Sequence, residues 1–256
     1  MPCRHLAAPG ARIVALKALA GGRLFGHVHG SGPPSILALH GWGRTGSDFD
    51  AVLSGTDAIA LDLPGFGASP APAAATGAHG YADMILDVLE SFERPPLVVG
   101  HSFGGRVAVA LEAEVPGSFS AMALTGVPLL RRQGGGKPSL GYRLIRAAHR
   151  SGLISDERME REKRKRGSAD YRAATGIMRD VLVTVVNESY EFELSEWDLA
   201  VALVWGSEDI DVPLWVPERA SQLLGDRATL EIVDGAGHFI PTTHPAVLRA
   251  AIEKLR

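Results

Sequence analysis

One cysteine in 256 residues leaves Cys3 without a partner, so no disulfide can form within the chain and a disulfide-stapled scaffold is excluded. A reducing compartment is expected on that ground. Long apolar runs are also missing: nothing approaches the ~18 uninterrupted apolar residues that a membrane-spanning helix needs. The N-terminal region lacks the basic-then-apolar order of a secretory leader, because Arg4, Arg12, Lys17 and Arg23 interrupt each short apolar stretch. A cytoplasmic location without membrane attachment is the expectation. Nor is there a large excess of one charge. The 26 Lys+Arg and 29 Asp+Glu sum to −3, which argues against a globally basic nucleic-acid binder.

What is present is 46% hydrophobic residues and enough length for one large domain or two small ones with a real core. Strand-like runs come first, at Arg12–Leu19, Arg23–His29 and Ser35–Leu39, the first two joined by a Gly21-Gly22 turn. Short apolar runs then alternate with helical patterns. The runs are Ala58–Leu63, Leu97–Val99, Phe119–Leu124, Val201–Trp205 and Thr229–Val233, and the helices are expected near Tyr81–Glu93, Phe103–Glu114, Trp215–Leu224 and Pro245–Leu255. This order predicts an α/β fold with a mostly parallel eight-stranded sheet covered by helices on both faces.

Residues 128–199 break the alternation. They open with a loop signal, Arg131 to Pro138, and continue as helices. The best of these is expected to start at Ser168 as N-cap and to carry Ala174, Ile177, Met178, Val181, Leu182 and Val185 on one face. We read residues 1–127 and 200–256 as a core domain and 128–199 as an inserted helical cap. Residues 131–179 hold 14 Lys+Arg and 5 Asp+Glu, a local +9 that leaves −12 elsewhere. Acid-first pairs four apart, Glu157/Arg161, Glu160/Arg164 and Glu162/Arg166, fit a solvated helix. The other reading is a surface that attracts an anionic or carrier-protein-linked ester. Interleaved acids and absent stacking aromatics argue against a nuclear-localisation or nucleic-acid role for Arg161–Arg166.

The most informative stretch is Val98-Val99-Gly100-His101-Ser102-Phe103-Gly104-Gly105, a buried strand running through Gly-x-Ser-x-Gly into a helix. A turn this sharp needs glycine on both sides, and it pushes Ser102 out at the strand's C-terminal end. A serine hydroxyl needs a base to take its proton. His238, in the Gly-rich loop after the last strand, is the candidate. The base needs an anionic partner, and Glu208-Asp209-Ile210-Asp211 follows a strand; Asp209 is the first choice and Asp211 the second. Two backbone N–H groups should receive the developing oxyanion: that of Phe103, and that of Trp42 in the loop after the third strand. The pattern calls for no cofactor and no metal.

At these residues the chain resembles the α/β-hydrolase superfamily, nearly end to end. His40-Gly41-Trp42-Gly43 resembles the family's oxyanion loop, and Asp62-Leu63-Pro64-Gly65-Phe66-Gly67-Ala68-Ser69 its Asp-x-Pro-Gly-x-Gly-x-Ser turn. Asp209 stands four residues before Pro213, and His238 follows Gly237, both as in the family pattern. Ser102 departs from haloalkane dehalogenases and epoxide hydrolases, which carry Asp at the elbow. The resemblance is greatest to cofactor-free serine esterases and carbon–carbon bond hydrolases with a helical cap, and the His-Gly-Trp-Gly loop is similar to that of pimeloyl-acyl carrier protein methyl ester esterases. It implies the α/β-hydrolase fold and a serine hydrolase acting on a small or medium carboxylic ester. A dienoate-type carbon–carbon hydrolase and a slow-turnover ligand-binding protein stay open as alternatives.

Overall fold

A computed structural model describes residues 14–131, 145, 147–166 and 169–256. Cys3, Arg12, Ser168 and all but Arg131 of the expected 131–138 loop lie outside these residues.

Eight strands form one sheet in the order β1-β2-β4-β3-β5-β6-β7-β8. β1 (Val14–Leu19) and β2 (Leu24–His29) make an antiparallel hairpin, and β2 runs antiparallel to β4 (Ala58–Asp62). The remaining neighbours are parallel: β3 (Ile36–Leu39), β5 (Leu97–His101), β6 (Ala121–Thr125), β7 (Val201–Gly206) and β8 (Ala228–Val233). The hairpin connection spans Ala20 to Arg23, longer than the two-residue turn expected, and holds Ala20, Gly21 and Gly22 at positive φ.

β3 to β7 are buried at every residue, as apolar strands sandwiched between helix layers must be. Their side chains alternate between two cores. Leu37, Leu39, Leu61, Val98, Leu124 and Trp205 face α1 (Ala78–Ile85), α2 (Phe103–Glu114) and α7 (Trp215–Leu224). Ala38, Ala60, Val99, Ala123 and Ala202 face Leu248 and Ile252 of α9 (Pro245–Leu255). Alanines dominate the second face, which lets α9 pack close to the strands. Between β6 and β7 lie α3 (Asp156–Arg166), α4 (Ala169–Ala173), α5 (Gly176–Val185) and α6 (Glu191–Glu196), and α8 (Ile240–Thr243) precedes α9.

Three helices match the expected bounds: α2, α7 and α9. Two expectations need correction. The helix read as Tyr81–Glu93 starts at Ala78 and changes to a 3-10 helix over Leu86–Ser91. The earlier start has a distant cause, since the carboxylate of Glu188 accepts the Ala78 N–H at 2.9 Å. The helix expected from Ser168 to Val185 is two helices in the described residues. Thr175 is extended and Gly176 sits at φ 52°, where glycine is at ease, so the chain bends between α4 and α5. The apolar face survives in Val181, Leu182 and Val185, all buried. α3 forms as expected, with Glu157 and Arg161 exposed; the side chains of Glu160, Arg164 and Arg166 lie outside the described ones.

The chain crosses from one side of β3 to the other between β4 and β5. The loops leaving the C-terminal ends of β3 and β5 therefore diverge from a switch point, where open α/β sheets form their ligand crevice. No helix among the described residues is long and apolar enough to cross a membrane.

Candidate active site

β5 passes directly through Ser102 into α2, with Ser102 at φ 49°, ψ −113°. A non-glycine residue there is strained, and the surrounding structure holds it. Ser102 N–H donates to Thr125 O on β6 (3.0 Å), and Gly104 N–H donates to His40 O at the end of β3 (3.0 Å). The second contact explains the glycine: a Cβ on Gly104 would sit 2.2 Å from Leu39 O. The elbow is thus stapled to the loop that carries Trp42.

His238 follows β8 and Asp209 follows β7. The His238 Nδ1–H donates to Asp209 Oδ2 at 2.9 Å, with Asp209's side chain 1% exposed. The other carboxylate oxygen, Oδ1, accepts the N–H groups of Asp211 (3.0 Å) and Val212 (2.8 Å). A carboxylate only accepts, so Nδ1 carries the imidazole proton and Nε2 keeps its lone pair. Asp211, the second choice, contributes a backbone donor to Asp209, and Glu208 is exposed. Ligand atoms of Asp209, Asp211 and His238 lie within 4.8 Å of one another. Oδ1 of Asp209 already accepts two backbone donors, and a cation bound through His238 Nδ1 would have to displace the proton that Oδ2 accepts.

Ser102, His238, Trp42 and Phe103 line one cavity of about 580 Å³, together with Leu182 and Val185 of α5 and Asp170 of α4. The N–H groups of Trp42 and Phe103 have no acceptor among the described residues. Their rings meet edge to face at 5.4 Å, and Phe103 packs on Tyr81 at 4.9 Å, which fixes the two backbones beside Ser102. Asp170 has its carboxyl pKa raised by burial and by Asp211, with His238 opposing.

Two buried histidines brace the site. His101 lies 4.9 Å from the His238 ring, and its Nε2–H donates to His238 O at 3.0 Å. His40 donates through Nδ1 to Gly41 O (2.7 Å) and accepts Leu63 N–H at Nε2 (3.0 Å), joining the Trp42 loop to the turn after β4. Burial pulls His101 down to about 3 and His40 to about 4. Both stay neutral when folded, whereas the unfolded chain protonates them below about pH 6.5. Stability should therefore fall as pH drops from 6.5 toward those values, by roughly 2 kcal/mol per histidine at pH 5. Urea unfolding at pH 7.5, 6 and 5 measures the slope. His101→Gln, which cannot titrate, should flatten it by about half, and an unchanged slope would place the acid sensitivity elsewhere.

Gly126, in the loop after β6, is packed directly against the His238 ring, a contact that sequence reasoning missed. It sits at φ 59°, and a Cβ there would lie 2.8 Å from His238 Cε1 and 2.9 Å from Nδ1. Nothing local signals a contact between residues 112 positions apart. Gly126→Ala should push the imidazole off Asp209 and lower any kcat/KM that depends on His238 about 100-fold, the usual effect of a misplacement of about 1 Å. Activity within twofold of the parent would show that the ring is not held from this side.

A model of the alpha/beta hydrolase family matches residues 36–251. An uncharacterized hydrolase of Bacillus subtilis (strain 168) is 24% identical over 251 residues, spanning 87% of this chain and 89% of that one. Pimeloyl-[acyl-carrier protein] methyl ester esterase of Chromobacterium violaceum is 39% identical over 106 residues, 40% of this chain and 39% of that protein. Among solved structures, 2-hydroxy-6-oxo-6-phenylhexa-2,4-dienoate hydrolase from Rhodococcus sp. strain RHA1 superposes with a TM-score of 0.68 at 22% identity, covering 96% of this chain and 99% of that one.

Proposed function

This chain belongs to the alpha/beta hydrolase family, and from that premise we propose that it is a serine hydrolase cleaving small or medium carboxylic esters with Ser102, His238 and Asp209. The observation that carries this reading is the His238–Asp209 hydrogen bond in the cavity that also holds the strained Ser102. Ser102 Oγ attacks the ester carbonyl as His238 Nε2 takes its proton. The carbonyl oxygen, now negative, accepts the N–H groups of Trp42 and Phe103. His238 returns the proton to the departing alkoxide, leaving an acyl-Ser102. Water attacks that acyl group with His238 as base, and the acid leaves as Ser102 regains its proton.

Residues 128–199 serve as a cap over the core of 1–127 and 200–256. Support comes from Leu182 and Val185 in the cavity wall and from Met178 packed at Gly65. The similarity to an acyl-carrier-protein-linked methyl ester esterase over 106 residues supports an ester substrate, free or carrier-linked.

A fluorophosphonate probe tests the nucleophile. Rapid labelling of the parent, absent in Ser102→Ala, is expected, together with hydrolysis of simple 4-nitrophenyl esters. Faster cleavage of a dienoate ring-fission substrate than of any ester would move the chemistry to carbon–carbon bonds, and labelling beside tight but unhydrolysed ligand would point to a receptor.

A further inference from the structure

A second cavity, of about 530 Å³, shares no lining residue with the catalytic one. Ser102 follows the C-terminal end of β5, whereas this cavity is walled by residues that lead into the N-terminal ends of β6 and β7, together with the end of α2 and with α6. The stretch Asp180–Asp198 holds six acids and no base, a run of charge that the ester chemistry does not use. Three of those acids, Glu193, Glu196 and Asp198, line the cavity, and no Lys, Arg or His does. None of the three carboxylates has an ion-pair or hydrogen-bond partner among the described residues. Glu191, on α6 but outside the cavity wall, is by contrast paired with Arg219 at 3.1 Å. Glu112 is also in the wall, but its two oxygens accept the N–H groups of Gly117 (2.8 Å) and Phe119 (3.1 Å), so its carboxylate belongs to the fold.

The rest of the wall is aromatic and aliphatic. Phe119 and Leu199 are buried, and Phe192 stands 74% exposed. Trp197 also lines the cavity; it is 7% exposed, and its Nε1–H, shielded from water, has no acceptor among the described residues. A buried indole N–H ordinarily has one. These features select among ligands. An inorganic cation would meet the carboxylates but leave Phe192 in water and the indole unpaired. An organic anion would meet three like charges. An ammonium group on an apolar body answers each feature: its charge faces the carboxylates and the ring faces, its body covers Phe192, and an oxygen close to the ammonium supplies the acceptor that Trp197 lacks. The volume is that of a small-molecule site. We propose that this cavity binds a small organic ammonium compound carrying an oxygen acceptor, such as an ether of an amino alcohol. The site does not depend on the serine-hydrolase reading, and its ligand would tie α6 to the end of α2.

The test follows the indole N–H resonances of the four tryptophans while the protein is titrated with 2-phenoxyethylammonium, 2-phenoxyethanol and phenoxyacetate. The three probes share a ring and an ether oxygen and differ in charge, and none has an ester bond to cleave. Trp197→Phe and Trp42→Phe assign the resonances of the two cavities. The ammonium should move the Trp197 resonance saturably, with a Kd about tenfold or more below that of phenoxyacetate, and its affinity should fall as salt is added. Replacing the three acids together, as Glu193→Gln, Glu196→Gln and Asp198→Asn, should weaken the ammonium about tenfold and leave 2-phenoxyethanol within about twofold, since exposed carboxylates contribute modestly one by one. An unmoved Trp197 resonance overturns the proposal, and so does equal affinity for the cation and the anion. Movement of the Trp42 resonance alone places the probe in the catalytic cavity and overturns it too. A folded triple variant that binds the ammonium as the parent does overturns the role of the acids; if that variant does not fold, the charge preference of the parent decides.

Discussion

Ser102→Ala is expected to lower kcat for 4-nitrophenyl esters by on the order of 10⁵- to 10⁶-fold while leaving the circular dichroism spectrum and the Tm close to those of the parent. The substitution deletes one oxygen and no hydrogen bond that builds the elbow. Ser102 N–H to Thr125 O, Gly104 N–H to His40 O and Arg106 N–H to Ser102 O all run through the backbone. Alanine keeps the Cβ, so the strain of φ 49° is the same in both proteins. What remains is the pair of N–H groups on Trp42 and Phe103 with an intact pocket, and in serine hydrolases that have lost the nucleophile such a remainder leaves a rate some 10³- to 10⁴-fold over water. Ester turnover within tenfold of the parent, measured on protein free of contaminating esterase, would sink the assignment of Ser102.

Much of this arrangement is legible in the chain because it is written locally. A run such as Leu97–His101, apolar on both faces and ending in Gly-x-Ser-x-Gly, specifies a buried strand, a sharp turn and a helix within a few residues. α2, α7 and α9 carry their periodicity to both ends, and their bounds match the pattern. The illegible features depend on residues distant in sequence. α1 begins where Glu188 supplies a cap from 110 positions away. Gly126 earns no notice until β6 and the His238 loop come together. His101 reads as part of the elbow motif, but its hydrogen bond to His238 O spans 137 positions. Arg106 reads as one of three charged residues, with Glu112 and Glu114, in a mostly apolar helix; only its hydrogen bond to Val185 O, 79 positions away, shows that its buried side chain ties α2 to α5.

Asp209→Asn is expected to cost about 10⁴-fold in kcat at neutral pH, and the geometry says why so small a change has so large an effect. Asparagine has one acceptor oxygen and one amide donor group in place of two acceptors. Oδ1 of Asp209 receives two backbone donors, from Asp211 and Val212. The asparagine must place its oxygen there, because turning the amide NH₂ toward those donors would leave two N–H groups facing two more. The NH₂ then points at His238 and donates to Nδ1. That moves the imidazole proton to Nε2, the nitrogen that the proposed mechanism needs free to accept from Ser102, so the proposed base would stand in the wrong tautomer. Asp211 supplies the control. Its side chain is exposed and the hydrogen bond it gives Asp209 comes from its backbone, so Asp211→Asn should change kcat by less than tenfold. If the two variants lose activity equally, the carboxylate partner of His238 is not Asp209 alone. Raising the pH separates the cases further: the two tautomers of neutral imidazole carry the same number of protons, so their ratio in Asp209→Asn does not change with pH, and the deficit should persist where a mere pKa change would be rescued.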